Sequence, residues 1–256
     1  MLFLIGFFLK NTIRSRRAIW LSVLGLVPVL IALLLVVFPI IPGGRRAVSA
    51  LFLEMGLTLH VHIMLPLVAL LIGSSTIAEE ADEGTLAYIM TRPIPKWRFA
   101  LSKILAGCIA AGMILVLSIC ATYTVMKGAV GLGAWLAGLE SLLRVAGVLV
   151  LGVLAYVGLF SLLGALIKRP VLAGLVFAFG WEKIIAHLPS KMQLLTIVAH
   201  LNALYPSRGE QGGEGELAGL LEQVLQGGGV TATSPTFILL LIFTACAAAT
   251  AALLYI

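Results

Sequence analysis

The segment EEADEGTLAYIMTRPIPKWRFALSK, positions 79–103, is the longest polar interruption in the first two-thirds of an otherwise apolar chain. A membrane-length apolar run (55–78) precedes it and another (99–126) follows, so what lies between is a loop held at one membrane face. Four carboxylates, Glu79, Glu80, Asp82 and Glu83, lead to Gly84, then to Arg92-Pro93-Ile94-Pro95, and then to Lys96, Arg98 and Lys103. A helix over 85–91 places Leu86, Ile89 and Met90 on one face at i, i+3, i+4, in a rod about 10 Å long. Gly84 can take the φ > 0 turn that separates this rod from the preceding helix. Pro93 and Pro95 stop it and fix the entry into the next helix. The upstream carboxylates suit its N-terminus, where unpaired N–H groups favour negative charge. A short amphipathic rod bounded by turns is something a partner can push on. The plainer reading is a loop whose charges keep it in water.

Composition sets the class. The chain is 61% hydrophobic and 11% charged, with mean hydropathy +1.13, far from the balance of soluble domains. It reads as an all-α integral membrane protein. The net charge of +6 forms no basic stripe with interleaved aromatics, so it does not point to nucleic acid. It comes from lysines and arginines beside the spans. Cys108, Cys120 and Cys246 all lie within apolar runs without metal-ligand spacing and read as packing residues.

In chain order, residues 1–17 read as an N-terminal interfacial helix, with Lys10, Arg14, Arg16 and Arg17 toward headgroups. A secretory signal would carry its positive charges ahead of the apolar stretch, not after it. Six spans follow, at 18–41, 55–78, 99–126, 142–167, 171–188 and 236–256, as a single transmembrane domain. Pro28 is a kink in the first and Trp20 its interface anchor. The fifth run is interrupted by Glu182 and Lys183 after eleven apolar residues. Both can sit at the water interface with Trp181 as anchor, or serve as a pathway or gate. Residues 189–235 form an outer-face segment. It holds a re-entrant or surface helix over 189–204, capped by Ser190, and an amphipathic helix through Leu217, Leu220, Leu221, Val224 and Leu225. The chain stops at Ile256 without a basic flank, so the last helix ends at the interface or a short tail follows.

With the N-terminus inside, inner segments carry ten Lys and Arg and outer segments seven, spread over far more sequence. That bias places the 79–98 loop in the cytoplasm. The chemistry of enzymes is sparse. No Gly-x-x-x-x-Gly-Lys-Ser/Thr loop is present to cradle ATP phosphates. His60 and His62, at i, i+2, point to nearly opposite sides of a helix and cannot share a metal. One of them can face a cavity as part of a pathway, while packing or hydrogen bonding inside the bundle is the simpler role. Glu79-Glu80 and His200-x-Asn202 superficially resemble membrane-embedded prenyl-protein proteases. Gly84 stands where their motif needs arginine, and the glutamates lie in the charged loop.

The run Glu80-x-x-Glu83-Gly84-Thr85-Leu86-x-x-Ile89-Met90-x-Arg92-Pro93, followed by Arg98 and Lys103-Ile104-Leu105, resembles the cytoplasmic signature of ABC-2 type transporter permeases. It is most similar to the branch that contains the permease of the nitrous-oxide-reductase maturation system. The resemblance implies that 79–98 is a coupling loop whose helix docks on a separate ATP-binding-cassette ATPase. Glu80, Glu83, Gly84, Thr85, Leu86, Ile89, Met90, Arg92 and Pro93 would form that contact. It further implies a permease, with export as the expected direction, that pairs with a second copy of itself and two ATPase copies in the cytoplasmic (inner) membrane. ATP and Mg would bind the partner, with no cofactor on this chain. Membrane lipid surrounds it, and an outer-face accessory protein is a further partner the arrangement allows. The alternative function is a membrane scaffold or signalling subunit of an ABC-type complex that moves no solute.

Overall fold

The computed structural model describes residues 2–38, 44–82, 95–167, 169–186, 196–205 and 235–253. Among these residues there are helices and no strand, and five helices are long and apolar enough to cross a membrane: Arg17–Val37, Ala47–Thr76, Lys96–Gly128, Leu139–Leu166 and Pro235–Leu253. They are called here the first, second, third, fourth and last spans. A shorter apolar helix, Pro170–Trp181, lies between the fourth and the last.

The first span is two helices, Arg16–Gly25 and Val27–Val37, broken at Leu26. Ser15 starts it by accepting a hydrogen bond from the Ala18 N–H at 3.2 Å, the usual role of an N-cap hydroxyl. Pro28 lacks an N–H and fits only the first turn of a helix, so the kink expected there is a helix restart. The freed backbone is supported from outside, because the Ser118 hydroxyl donates to the Gly25 carbonyl at 2.6 Å.

The second span is also irregular. Gly44–Met55 runs into a π-helical stretch, Gly56–Met64, and then into Leu65–Asp82. Pro66 gives the reason. Without its N–H the regular i→i−4 ladder cannot continue, and the Leu65 N–H bonds instead to the His60 carbonyl, five residues back. The helix before residue 55 holds because Phe52 is buried edge-on against Tyr123, at 5.2 Å between centroids and 73° between planes.

Close packing of the second and fourth spans makes the centre of the bundle. A Cβ on Gly164 would lie 2.6 Å from the Ser74 carbonyl oxygen, and one on Gly73 would lie 2.9 Å from the Phe160 Cβ. Small residues here let two backbones approach in a setting where lipid tails offer no hydrophobic drive to association. Because the obstacle at Gly164 is backbone, it cannot swing away. Gly164→Leu is therefore expected to cost about 1–3 kcal/mol or more from overpacking, read as a lowered unfolding temperature in detergent. Gly112→Leu, where a Cβ meets nothing within 4 Å, should leave that temperature unchanged.

At the N-terminus, helix Leu2–Arg14 lies against the start of the third span. Phe8 meets Phe99 edge-on at 5.5 Å, and Lys103 Nζ sits 5.9 and 5.7 Å from those two rings. At the opposite end of the third span, Gly131 takes φ 123°, a region costly for any side chain. It turns the chain into Leu132–Ala137, where the Tyr123 hydroxyl donates to the Trp135 carbonyl. Helix Ile197–Leu204 packs against the π-helical stretch and the fourth and last spans. Thr196 caps it, accepting from the Ala199 N–H at 3.3 Å. Ser190 and the stripe from Leu217 to Leu225 lie outside the described residues.

Candidate functional site

The loop at 79–98 can be located by its flanks. Leu65–Asp82 and Lys96–Gly128 lie side by side, and a Cβ on Gly107 would be 3.3 Å from Ile72 and 3.5 Å from Thr76. From that level Asp82 lies six to ten residues onward and Lys96 eleven residues back, about 9–17 Å in each case at the rise of an α-helix. Both flanks therefore emerge at the same end of the bundle. Pro95 is the N-cap of the third span, its carbonyl accepting from the Arg98 N–H at 2.9 Å. Glu83, Gly84, Thr85, Leu86, Ile89, Met90, Arg92 and Pro93 lie outside the described residues. So does the side chain of Glu80, although its backbone is in the helix that ends at Asp82.

The two histidines of the second span part company, as their spacing requires. His60 is fully buried, with Nε2 3.2 Å from the Ser118 Oγ. Ser118 has one proton and gives it to the Gly25 carbonyl, so the imidazole must be the donor in the His60–Ser118 contact. One polar chain thus ties the second and third spans to the break in the first. His62 turns the other way, its Nε2 3.1 Å from Asn202 Oδ1 on helix Ile197–Leu204. Tyr205 adds a second tie by donating to the Leu53 carbonyl at 2.8 Å. Burial, and then the negative charge of Glu54, push its phenol above the ordinary range, which keeps it a donor. No group of three His, Cys, Asp or Glu that could hold a metal is found among the described residues.

Glu182 opens the helix Glu182–Ala186, directly after a second π-helical stretch, Val176–Trp181. Its side chain is 3% exposed and accepts a hydrogen bond from the Tyr156 hydroxyl of the fourth span. The expectation that it simply projects into interfacial water is thereby corrected: Trp181 beside it is 51% exposed, but the carboxyl turns inward. A hydroxyl and a carboxyl in an apolar interior are stable only together. Tyr156 also stacks on Phe160, at 5.8 Å and 19°. The side chain of Lys183 lies outside the described residues.

Sequence reasoning did not single out Ser118, Tyr156, Asn202 or Tyr205. The signal was available for Tyr156, since a buried phenol must find a polar partner, but nothing in the sequence says that the partner is 26 residues away. His60, His62 and Glu182 do not converge on one site. They are three separate polar ties within the bundle.

Comparison with family models finds a match to the ABC-2 family transporter protein model over residues 8–181, more than half of the 256-residue chain. The search of curated proteins gave no match.

Proposed function

The chain belongs to the ABC-2 family of transporter proteins as a multi-pass membrane permease subunit, and from that premise we propose that it is an exporter driven through the 79–98 loop. The family implies an ABC ATPase partner and a dimeric assembly. In the proposed arrangement two copies of this chain pair about a two-fold axis, and each receives one ATPase subunit, which holds ATP and Mg. Six spans complete the domain, with residues 171–188 as the fifth, and the N-terminus is cytoplasmic in the inner membrane.

The observation that carries this reading is the coincidence of two facts. The sequence places carboxylates, a glycine turn, an apolar face and a Pro-x-Pro stop between residues 79 and 95. The helices on either side of that segment return to one end of the bundle, so a force applied there acts on the second and third spans together. Glu80 and Glu83 would orient the docked ATPase, Leu86, Ile89 and Met90 would fill its groove, and Gly84, Thr85, Arg92 and Pro93 would hold the rod at its angle.

Affinity capture of the tagged chain from its native membranes in mild detergent tests the partner. Recovery of a soluble ABC ATPase in equal amount, and its loss with Glu83→Lys, is the expected result. A reversed charge at a docking contact replaces attraction by repulsion, which costs several kcal/mol. Absence of any ATPase from the captured material would leave a scaffold in place of a transporter.

A further inference from the structure

Between the third and fourth spans lies an apolar groove of about 470 Å3. Its floor includes Cys108 and Val153, both buried, and its rim includes Leu117 and Val150, 69% and 43% exposed. Gly112 leaves it open at mid-length, with nothing within 4 Å of where a Cβ would be. From Leu105 to Gly112 the groove follows seven residues of helix, about 10 Å, and this near half lies within reach of an acyl chain that crosses the ~15 Å of hydrocarbon in one leaflet from a headgroup at the start of the third span. That length and lining suit a single acyl chain.

The charge at one end says which lipid. Seven residues before Leu105, two turns along the same stripe of the helix, stands Arg98, about 10 Å beyond the groove. It is exposed, its guanidinium 5.2 Å from the ring centroid of Trp97. Trp97 is itself 43% exposed, and tryptophans favour the headgroup level. The third span contains no aspartate or glutamate along its whole length, only Lys96, Arg98, Lys103 and Lys127. A guanidinium matches a phosphate by paired hydrogen bonds and charge.

We propose that this groove is a binding site for an anionic glycerophospholipid, one acyl chain lying along Gly112 and the phosphate held by Arg98. Arg98 closes the 79–98 loop, so the site borders the proposed ATPase contact, while the groove itself lies within the spans and does not depend on what the chain transports.

The test is native mass spectrometry of the full-length chain in mild detergent, titrated with phosphatidylglycerol or phosphatidylcholine of identical tails. The expected result is one phosphatidylglycerol retained per chain, with about ten-fold preference over phosphatidylcholine, about 1.4 kcal/mol. Arg98→Gln should abolish the preference. Gly112→Leu, which fills the groove without meeting other atoms, should lower retention of both lipids by about ten-fold or more. Leu241→Phe, which adds bulk on the last span away from the groove, should change neither. Equal retention by the parent and Gly112→Leu would overturn the proposal, as would equal binding of the two lipids. A Gly112→Cys chain that cross-links to a second copy in oxidised membranes, beyond the level of the parent, would also overturn it by giving the groove to a protein partner.

Discussion

Gly84→Val is expected to leave the permease inserted and bound to its ATPase, and to leave ATP hydrolysis near the parent rate, while abolishing the motion that hydrolysis drives. In the proposed arrangement Gly84 would separate the helix that ends at Asp82 from a rod over 85–91, through a turn with φ > 0. A β-branched residue in that conformation costs roughly 1–2 kcal/mol, and a chain that escapes the cost re-aims the rod. An ATPase pushing on a misdirected rod spends its stroke without rotating the second and third spans. The motion can be followed by the labelling rate of a cysteine placed at Phe38, an exposed residue at the end of the first span. The native thiols give little background, since Cys108 and Cys246 are buried and Cys120 is partly so. The ATP-dependent change in that rate should fall by about ten-fold, the consequence of some 1.4 kcal/mol of lost coupling. An unaltered change would remove the mechanical role assigned to the turn.

How far the fold could be read from the sequence differs from one helix to another. Long apolar runs such as Lys96–Gly128 and Leu139–Leu166 were plain, because hydrophobicity over membrane length is the strongest signal a chain carries. Departures from the regular helix were half visible. Pro28 announces a break, but not that Ser118 would brace it from the third span; Pro66 announces a disturbance, but not that π-helical winding would absorb it. The helix through Gly44–Met55 is hidden in the sequence because Arg45, Arg46 and Glu54 give it a polar look, although Val48, Leu51, Phe52 and Met55 repeat at helical spacing. The polar ties were the least legible. His60 with Ser118, His62 with Asn202 and Glu182 with Tyr156 join residues 58, 140 and 26 positions apart, and local pattern carries no information about such pairings. The 79–98 segment is the reverse case, its motif clear in sequence and most of its residues outside the described ones.

The Glu182–Tyr156 pair offers the second large effect. Tyr156→Phe removes a hydroxyl that donates to the buried carboxyl, and Glu182→Leu takes from the buried phenol the acceptor it donates to. Each alone is expected to destabilise the chain by about 1–3 kcal/mol, because a buried polar group that loses a hydrogen-bond partner recovers none of that part of its desolvation cost. Replacing both by apolar groups of similar size can be nearly neutral, so the double variant should be more stable than either single one. Thermal unfolding in detergent reads this directly, with a thiol-reactive dye reporting exposure of Cys108 and Cys246. Strictly additive losses would show that the two side chains are not coupled. Stability alone does not distinguish a packing contact from a gate, and the double variant separates them. It restores packing between Glu182–Ala186 and the fourth span but removes the polar contact that a gate could make and break. A stable double variant that binds ATPase normally, yet has lost the ATP-driven change at Phe38→Cys, assigns the pair to gating. One that keeps the change assigns it to structure, and the gate must then be sought at the ties from His62 to Asn202 and from Tyr205 to the Leu53 carbonyl, which hold helix Ile197–Leu204 to the second span.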